Sequence, residues 1–441
     1  MKPVPIRPDP VRLFIEPGRT GASMHQFIAD LYPICRSITG DGVRQTLARI
    51  RERIPLQIHE VPSGTQVFDW SVPREWNIRD AWVKNAAGEK VIDFKKSNLH
   101  VLNYSIPIHQ KMPLSQLRAH LFTLPEHPGW IPYRTSYYAE NWGFCLSHEQ
   151  LLALEEGEYE VYIDASLKPG YLTYGEAFIP GATSDEFLIS CHVCHPSLCN
   201  DNLSGIAVAT QLAELLARSN LRYSYRFLFI PGTIGSITWL YFNQDVVPRI
   251  RHGLVLTCVG DSGPITYKRS RRGDACIDRA VAHLLRDREG SSLIDFSPWG
   301  YDERQYCSPG FNLPVGCLMR TQHGCFPEYH TSADNLDFVR PECLEDTLRF
   351  CISLINLLER NRVLVNLNPY CEPQLGKRGL YRPTGGAGIG DENLASLWVL
   401  NMSDGSESLL DIAERAQLPF QLIHEAALRL EQAGLVRRVE G

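Results

Sequence analysis

Apolar side chains recur every three to four residues near the start of the chain, between residues 23 and 53. This spacing predicts amphipathic helices, because residues at i, i+3, i+4 and i+7 share one helix face. Pro33 and the polar segment RSITGDG (residues 36–42) interrupt the pattern, so two short helices joined by a polar elbow are expected. The apolar positions of these helices are Met24, Phe27, Ile28, Leu31, Ile34, Val43, Leu47 and Ile50.

From residue 56 to residue 144 the pattern changes to short β-branched and aromatic runs. The runs QIHEV, DAWVKN, KVIDF and HVLNYSIPI alternate with Gly, Pro and Asn turns, as is typical of strands. Five of the eight Trp residues lie between Trp70 and Trp142. We therefore predict a small β-rich module that has a compact core or a binding face of its own.

Strand and helix patterns alternate from residue 158 to residue 360. The strand patterns are YEVYIDAS, EFLISCHV, YRFLFIPG and HGLVLTCVG; the helix patterns are IAVATQLAELLAR, SITWLYFNQ, CIDRAVAHLLRD and LEDTLRFCISLINLLER. This alternation predicts βαβ units. The fold class expected is therefore α/β, with a mixed sheet that is mostly parallel in its centre and flanked by helices.

The chain after residue 365 has a different organisation. Residues 366–391 are dense in Pro and Gly and predict a linker; its GGAGIG motif is interpreted as a plain loop, because no strand precedes it. Residues 392–441 contain three helical patterns and a short strand, the outline of a winged helix. The helix in the recognition position, residues 420–432, carries one Arg and two Glu, so a packing or protein-contact role is favoured over DNA binding.

Composition narrows the function classes. The 441 residues include 44 Lys+Arg and 50 Asp+Glu, a net charge of −6, which argues against coating nucleic acid or an anionic membrane. No run approaches the roughly 18 apolar residues of a spanning helix. The opening MKPVPIRPDP lacks the apolar core of a secretory signal. With an odd count of 13 Cys, this predicts a cytoplasmic protein with reduced thiols.

Four residues that follow predicted strands carry the candidate chemistry. His192 ends one strand, Asp201 lies in an Asn-Asp-Asn-x-Ser-Gly turn, Asp261 follows LVLTCVG, and His330 lies in the loop YHTSADN. The carboxyl ends of parallel strands meet at one sheet edge, so these imidazoles and carboxylates can share a cation. Each also has an ordinary role open to it, as a strand cap, a helix N-cap, a turn former or a loop histidine.

The order of these motifs resembles the co-catalytic zinc aminopeptidases. A closer resemblance, over nearly the whole chain, is to a bacterial family of aminopeptidase-like proteins often linked to surface-polysaccharide gene clusters. The segments that carry it are RSITGDGVRQTL, FDWSVPREWNIRDAW, CHPSLCNDNLSG, YDERQYCSPGFNLPV and NPYCEPQLGKRGLY. The resemblance implies a zinc aminopeptidase-like domain (residues 20–62 and 156–365), an inserted β-rich module (63–155), the linker (366–391) and a winged-helix domain (392–441).

The resemblance also implies a set of zinc ligands. In the aminopeptidases a His, a bridging Asp and a second Asp hold one zinc ion, while the bridging Asp, a Glu and a late His hold the other. The positions of this sequence that match the His and Asp ligands are His192, Asp201, Asp261 and His330.

A Glu-Glu pair that follows a central strand in the aminopeptidases is missing here. It supplies the general base and the remaining carboxylate ligand, and the matching residues are Gly232 and Thr233. The closer family generally keeps a Glu at the first position, so Gly232 is a vacated general-base position even by that standard. Threonine is a weak neutral ligand. We therefore expect one zinc ion rather than two.

Other residues of the same motifs are candidates for the remaining roles. A positioned base contributes about 10²–10⁴-fold to such a reaction, and Glu303 or His195 would have to replace the missing Glu. Cys194 replaces an Asp that orients the ligand His in the relatives. Cys194 could be a zinc thiolate, or His195 could supply a nitrogen ligand; a buried bystander role for Cys194 is slightly favoured over either. The candidate substrate-binding residues are Asp302, Arg304 and Arg36.

Two functions compete at this point. The first is a zinc-dependent, aminopeptidase-like hydrolase of an amide or peptide bond in a small peptide, aminoacyl or N-acyl substrate, impaired by the loss at Gly232 and Thr233. The alternative is a non-catalytic binding or scaffold protein in surface-polysaccharide biosynthesis. A Ser-His hydrolase is disfavoured because no Gly-x-Ser-x-Gly elbow precedes a helix. The sparse positive charge of the winged helix disfavours nucleic acid as a partner; a homo-oligomer is compatible with the sequence.

Overall fold

The computed structural model describes residues 15–380 and 390–439. The chain divides into two compact units, residues up to 278 with 287–351, and residues 279–286 with 352 onward. The helices are α1 (Arg19–Leu31), α2 (Asp41–Arg51), α3 (Leu114–Leu117), α4 (His148–Leu152), α5 (Ser204–Leu216), α6 (Ile234–Phe242), α7 (Cys276–Leu285), α8 (Glu303–Tyr306), α9 (Pro341–Arg360), α10 (Asp391–Met402), α11 (Leu409–Ala416) and α12 (Phe420–Gln432).

The strands are short except in the two larger sheets. They are β1 (Gln57–Pro62), β2 (Gln66–Val67), β3 (Trp70–Ser71), β4 (Glu75–Lys84), β5 (Lys90–Asp93), β6 (Ile108–Pro113), β7 (Leu121–Phe122), β8 (Phe144–Cys145), β9 (Glu158–Lys168), β10 (Tyr171–Ile179), β11 (Glu186–His192), β12 (Ser224–Ile230), β13 (Ile250–Leu256), β14 (Thr266–Lys268), β15 (Ser292–Ile294), β16 (Val315–Met319), β17 (Val363–Asn366), β18 (Asp404–Ser408) and β19 (Val436–Arg438).

The first unit is built on an eight-stranded sheet of order β1-β10-β12-β11-β13-β16-β14-β15. The four central strands, β12, β11, β13 and β16, run parallel to one another. On one side β1 pairs antiparallel with β10, and β10 with β12; on the other, β14 pairs antiparallel with β16 and parallel with β15. Every residue of β11 and β12 is buried, which explains their continuous apolar sequences. The predicted mixed sheet with a parallel centre is confirmed.

Helices α1 and α2 form where the spacing of apolar residues predicted them, and their apolar faces are buried. The elbow between them depends on Gly40, which has a φ of 93°. A Cβ atom at this position would lie 2.0 Å from the carbonyl oxygen of Trp76. Only glycine therefore fits this turn, because both the conformation and the close approach exclude a side chain.

A second sheet, of order β5-β4-β9-β6, carries the predicted β-rich module. Its pairings are antiparallel, and its strands enclose a core that includes Val83, Phe144 and Val161. Strand β9 begins after residue 155, so this sheet includes residues beyond the range predicted for the module. The YEVYIDAS pattern thus forms a strand of the smaller sheet and not of the central one.

The second unit contains the winged helix. Helices α10, α11 and α12 coincide with the three helical patterns, and β19 with the predicted strand. Strands β18, β17 and β19 form an antiparallel sheet, so the fold recruits residues 363–366, ahead of the predicted domain. Residues 381–389, which include most of the GGAGIG motif, lie outside the described residues.

All thirteen cysteines lie within the described residues and are free thiols in the structure. Within the described part of the chain, no helix has both the length and the apolar character needed to cross a membrane. The segment MKPVPIRPDP, in which no secretory signal was predicted, lies outside the described residues.

Candidate active site

The carboxyl edge of the central sheet brings the sequence-predicted ligands into one region. His192 is the last residue of β11, and an irregular turn over residues 199–203 carries Asp201 into the start of α5. Strand β13 ends at Leu256, five residues before Asp261, and His330 lies in a loop that follows β16. Because β11, β13 and β16 are parallel, their carboxyl ends open onto the same edge.

Three histidines converge on the carboxylate of Asp201. The Nε2 atom of His192 lies 2.8 Å from Oδ1, and the Nε2 atoms of His330 and His195 lie 2.9 and 3.8 Å from Oδ2. Asp201 is fully buried, whereas the side chain of His330 is 33% exposed, so the cluster opens to solvent on the His330 side. Potential ligand atoms of His192, His195 and Asp201 lie within 4.8 Å of one another.

The protonation states of this cluster favour a cation. Burial lowers the pKa of His195 well below 6.5, so its imidazole is neutral at pH 7. Burial alone would raise the pKa of Asp201, but the neighbouring His195 and His192 hold it well below 3.8. Neutral imidazole nitrogens and a carboxylate are the donors that zinc takes in proteins. The residues present therefore fit a zinc ion.

Two tyrosines that sequence reasoning did not single out complete the cluster. The Tyr301 hydroxyl donates to Asp201 Oδ2 at 2.5 Å, and the hydroxyls of Tyr301 and Tyr329 lie 3.0 Å apart. The Tyr301 ring stacks on His192 at 4.1 Å, and the Tyr329 ring stacks on His330 at 4.0 Å. His192 and His330 are thus each held against a phenol ring. The only sequence signal was their position within the motifs.

The turn that carries Asp201 is held by Asp334. Its carboxylate accepts the backbone N–H groups of Asn200 at 2.5 Å and Asp201 at 2.9 Å, and its carbonyl accepts that of Cys199 at 3.0 Å. Asp334 is fully buried. Burial raises its pKa to about 8, against the lowering effect of these hydrogen bonds. Asp334 lies in the YHTSADN motif, but no role was predicted for it from the sequence.

Asp261, the fourth predicted metal ligand, makes its hydrogen bonds outside the histidine cluster. Its carboxylate accepts the amide of Asn200 at 2.9 Å, the backbone N–H of Gly263 at 2.7 Å and the hydroxyl of Thr321 at 2.6 Å. It is nearly fully buried. In the structure, Asp261 is linked to the cluster through Asn200, which precedes Asp201, and not by a direct contact with His192.

The carboxylate beside Gly232, the vacated general-base position, is that of Asp302 and not that of the predicted substitute base Glu303. An ideal Cβ atom on Gly232 would lie 3.3 Å from the Cβ atom of His192 and 3.4 and 3.6 Å from the two carboxylate oxygens of Asp302. Asp302 is buried and accepts the hydroxyl of Ser236 at 3.0 Å. Burial raises the pKa of Asp302 to about 7, although its neighbour His192 and the Ser236 hydrogen bond lower it.

Glu303, one of the two predicted substitute bases, lies apart from this position. It is fully buried and forms an ion pair with Lys268, which is 1% exposed. The ammonium group of Lys268 also donates to the carbonyl of Trp299 at 2.7 Å. The structure therefore places Asp302 beside Gly232, whereas Glu303 forms an ion pair with the buried Lys268.

Of the remaining predicted residues, Arg36 and Cys194 contact His195. Arg36 donates from Nε to the carbonyl oxygen of His195 at 2.8 Å and from Nη1 to that of Leu31 at 2.7 Å, which fixes the backbone of His195. Arg304 has a buried Nε without a hydrogen-bond partner among the described residues. Cys194 Sγ lies 3.4 Å from His195 Nδ1, and burial raises the pKa of this thiol, so it is protonated.

A polar cavity of about 320 Å³ opens beside His330. Two segments of the first unit line it, residues 124–134 and the loop over residues 327–331. Tyr133 contacts the rings of both His195 and His330 at 5.1 Å, so the first segment reaches the cluster itself. The cavity provides room for a small substrate next to the histidines, with Glu126, His127 and Arg134 among its polar lining residues.

Comparison with known proteins gives a consistent result. The domain of unknown function DUF4910 matches residues 25–361, and a winged helix-turn-helix domain matches residues 362–438. A Clostridium acetobutylicum protein, whose name describes polysaccharide biosynthesis and an aminopeptidase-like domain, is 53% identical over 424 residues, or 96% of this chain and 98% of the relative.

Solved structures resemble the chain at two levels. A crystal structure from Clostridium acetobutylicum described as a peptidase is 52% identical, with a TM-score of 0.91 over 96% of this chain and 97% of its own. A zinc aminopeptidase from Bacillus subtilis is 11% identical, with a TM-score of 0.57 over 78% of this chain and 95% of its own. The second similarity is one of fold, and it confirms the predicted zinc aminopeptidase-like architecture.

Proposed function

This chain belongs to the DUF4910 family and ends in a winged helix, and from that membership and its aminopeptidase-like fold we propose that it is a zinc-dependent hydrolase of an amide or peptide bond. The observation that carries the proposal is the convergence of His192, His195 and His330 on the buried Asp201 carboxylate. A buried carboxylate surrounded by imidazole nitrogens is a set of ligands that suits a zinc ion.

We expect one zinc ion, held by His192 and Asp201 with His195 or His330. When bound, zinc supplies Lewis acidity at the scissile carbonyl. Thr233 offers no charge where the aminopeptidases have a carboxylate ligand, which supports a single ion over a pair. The protein itself would hold the ligands in place, because the ring of Tyr301 stacks on His192 and the ring of Tyr329 stacks on His330.

The substrate class follows from the cavity beside His330. Its volume of about 320 Å³ suits a small molecule, and its charged and polar lining suits a polar one. Since the 53% identical relative is named for polysaccharide biosynthesis, an aminoacyl or N-acyl group on a small polar carrier, such as an amino sugar, is the class we propose. The chain would act in the cytoplasm.

Metal content and hydrolysis test this function together. We expect the zinc-reconstituted and dialysed protein to retain about one equivalent of zinc and to hydrolyse aminoacyl amides or N-acyl amino sugars. His192→Ala should lose both properties. His109→Ala, which removes a histidine that pairs with Glu160 in the other sheet, should keep both. A zinc-loaded protein that cleaves no amide in the panel, as wild type or as Gly232→Glu, would contradict the proposal.

A second function, a non-catalytic binding or scaffold protein, is favoured by one specific observation. Both carboxylates of the Glu-Glu pair are absent, at Gly232 and Thr233. In this case the histidine cluster would no longer serve as a zinc site. The protein would then retain fewer than about half an equivalent of zinc per chain, since functional zinc sites usually remain occupied. Low zinc content together with no hydrolysis would establish this alternative against the first.

A further inference from the structure

A second cavity, of about 460 Å³, opens in the first unit and shares no lining residue with the cavity beside His330. Its volume lies within the range of small-molecule sites, about 300–1,000 Å³. The β2–β3 hairpin, helix α6 and the segment over residues 305–311 line it, and the hydrolase function gives these residues no role. The side chains that characterise it are Phe68, Asp69, Trp70, Gln305, Ser308 and Phe311.

The hairpin presents two aromatic side chains to this cavity. Phe68 and Trp70 are 46% and 44% exposed, although burial of an aromatic ring is strongly favoured. The Phe68 ring packs edge-on against Tyr241 and Phe311 at 5.2 and 5.9 Å, and the Trp70 ring against Tyr138 at 5.5 Å. These contacts hold both rings in place and leave a large part of each residue open. The cavity therefore has two fixed aromatic surfaces that a ligand can reach.

The backbone conformation at Phe68 does not explain an aromatic side chain at this position. Phe68 and Asp69 form the two-residue turn of the hairpin, in which Val67 pairs with Trp70. The φ angle of Phe68 is 53°, in the left-handed region that disfavours bulky side chains and that hairpin turns usually fill with Gly or Asn. Such conformations are costly and are found preferentially at ligand-binding and catalytic sites. The ring of Phe68 is thus present at the expense of the turn.

The polar side chains of the cavity are available to a ligand. Those of Asp69, Gln305 and Ser308 make no hydrogen bond or ion pair within the described part of the chain. Together they offer a carboxylate, an amide and a hydroxyl, which both donate and accept hydrogen bonds. None of the described lining residues is Lys, Arg or His. The cavity therefore offers no positive charge to a phosphate or carboxylate group.

We propose that this cavity binds a neutral saccharide. A pyranose ring has a face of C–H groups, which packs on an aromatic ring, and a rim of hydroxyl groups, which donate and accept hydrogen bonds. Phe68 and Trp70 match the face, while the free polar groups of the cavity match the rim. A nucleotide would find no partner for its phosphates, and an apolar protein segment would cover the polar groups without satisfying them. The site would exist whether or not the chain is a hydrolase.

Full-length protein that carries fluorotryptophan tests the site directly. The probes are the neutral disaccharides cellobiose, maltose, lactose and N,N′-diacetylchitobiose. The fluorine resonance of Trp70, identified by its absence from Trp70→Phe, should shift when at least one of them is added, and that of Trp299 should not. Trp299 is the matched control, because it is 58% exposed and does not line the cavity.

Two variants that remove the aromatic rings measure their contribution to binding. Trp70→Ala and Phe68→Gly should each weaken the binding of that disaccharide about tenfold, and Trp299→Ala should leave it unchanged. Because glycine suits a φ of 53°, the turn should still form in Phe68→Gly. Trp70→Phe keeps a ring and should bind more tightly than Trp70→Ala. Melting temperatures identify any variant that fails to fold.

Three results would overturn the assignment. The first is a Trp70 resonance that none of the disaccharides shifts at millimolar concentration. The second is binding that persists unchanged in both Trp70→Ala and Phe68→Gly, since the saccharide would then lie elsewhere. The third is self-association of the wild type, seen by sedimentation and abolished in Trp70→Ala, without saccharide binding; the aromatic rings would then form a contact between copies of the chain. Zinc content and amide hydrolysis are measured separately, so none of these results decides the hydrolase function.

Discussion

Replacing Asp334 by alanine should dislodge the turn that positions Asp201. The two carboxylate oxygens of Asp334 accept the backbone N–H groups of Asn200 and Asp201 at 2.5 and 2.9 Å, and the side chain is fully buried. Alanine supplies no acceptor, and the buried site gives these N–H groups no other partner in the described structure. The hydrogen bonds that connect the loop containing Asp334 to the turn after β11 would be lost.

The expected magnitude follows from the two orphaned donors. A buried polar group that loses its partner costs about 1–3 kcal/mol, so Asp334→Ala should destabilise the protein by roughly 2–6 kcal/mol. The isosteric Asp334→Asn keeps one carbonyl acceptor but turns an amide N–H₂ toward a backbone N–H, and should cost less. Because a displaced Asp201 would be a poorer ligand, the zinc affinity of Asp334→Ala should fall about 10–100-fold.

Urea unfolding followed by tryptophan fluorescence, together with calorimetric zinc titration, checks both numbers. The control is Asp337→Ala, an exposed aspartate in the same loop, whose backbone N–H donates to Asn335 and whose carboxylate has no comparable contact in the described structure. It should change stability by less than about 0.5 kcal/mol. If Asp334→Ala matched Asp337→Ala in both stability and zinc affinity, the reasoning about the turn would be refuted.

Two further predictions concern the first unit away from the site. Hydrogen bonds from Arg44 hold the pKa of Glu75 at about 2 instead of 4.5, so Glu75→Gln should cost roughly 3 kcal/mol at pH 7. The carboxylate contributes fully above pH 4.5 and loses its contribution as the pH falls through about 2, so unfolding midpoints of wild type and variant should converge between these values. Gly40→Ala should lower the melting temperature by several degrees, since its Cβ atom would lie 2.0 Å from the Trp76 carbonyl oxygen. Gly64→Ala is the control, because Gly64 shares a positive φ but has open space around it; an equal loss in both would assign the effect to φ strain alone.

Local patterns predicted the elements that local physics determines. The pattern of apolar residues identifies the two N-terminal helices, the buried central strands and the three helices of the winged helix. It does so because the burial of a face selects apolar residues at a fixed spacing. The pairing partners of a strand are not local. The alternation of YEVYIDAS is compatible with either sheet, and only long-range contacts assign β9 to β4 and β6.

At the candidate site, too, the sequence predicts features that depend on local patterns but not those that depend on tertiary contacts. Ligand-type residues at strand ends could be chosen from the sequence, because parallel strands bring their carboxyl ends together. The choice between Asp302 and Glu303 could not be made in this way. The two residues are adjacent, and the side chain that faces Gly232 depends on where α8 begins; in the structure Asp302 precedes the helix and Glu303 is its first residue. A shift of one residue therefore separates a carboxylate beside Gly232 from a carboxylate in a buried ion pair.

The charge balance of the site gives the strongest physical reason for a metal ion. Asp201 is a fully buried anion, and its ion-pair partners in the described structure are histidines alone, without lysine or arginine. A buried carboxylate needs a positive partner, but burial opposes the protonation of His195. A divalent cation would resolve this conflict, since it would balance the charge of the carboxylate and take imidazole nitrogens as ligands. The folded unit and the metal should therefore stabilise each other, even in a protein that has lost the Glu-Glu pair.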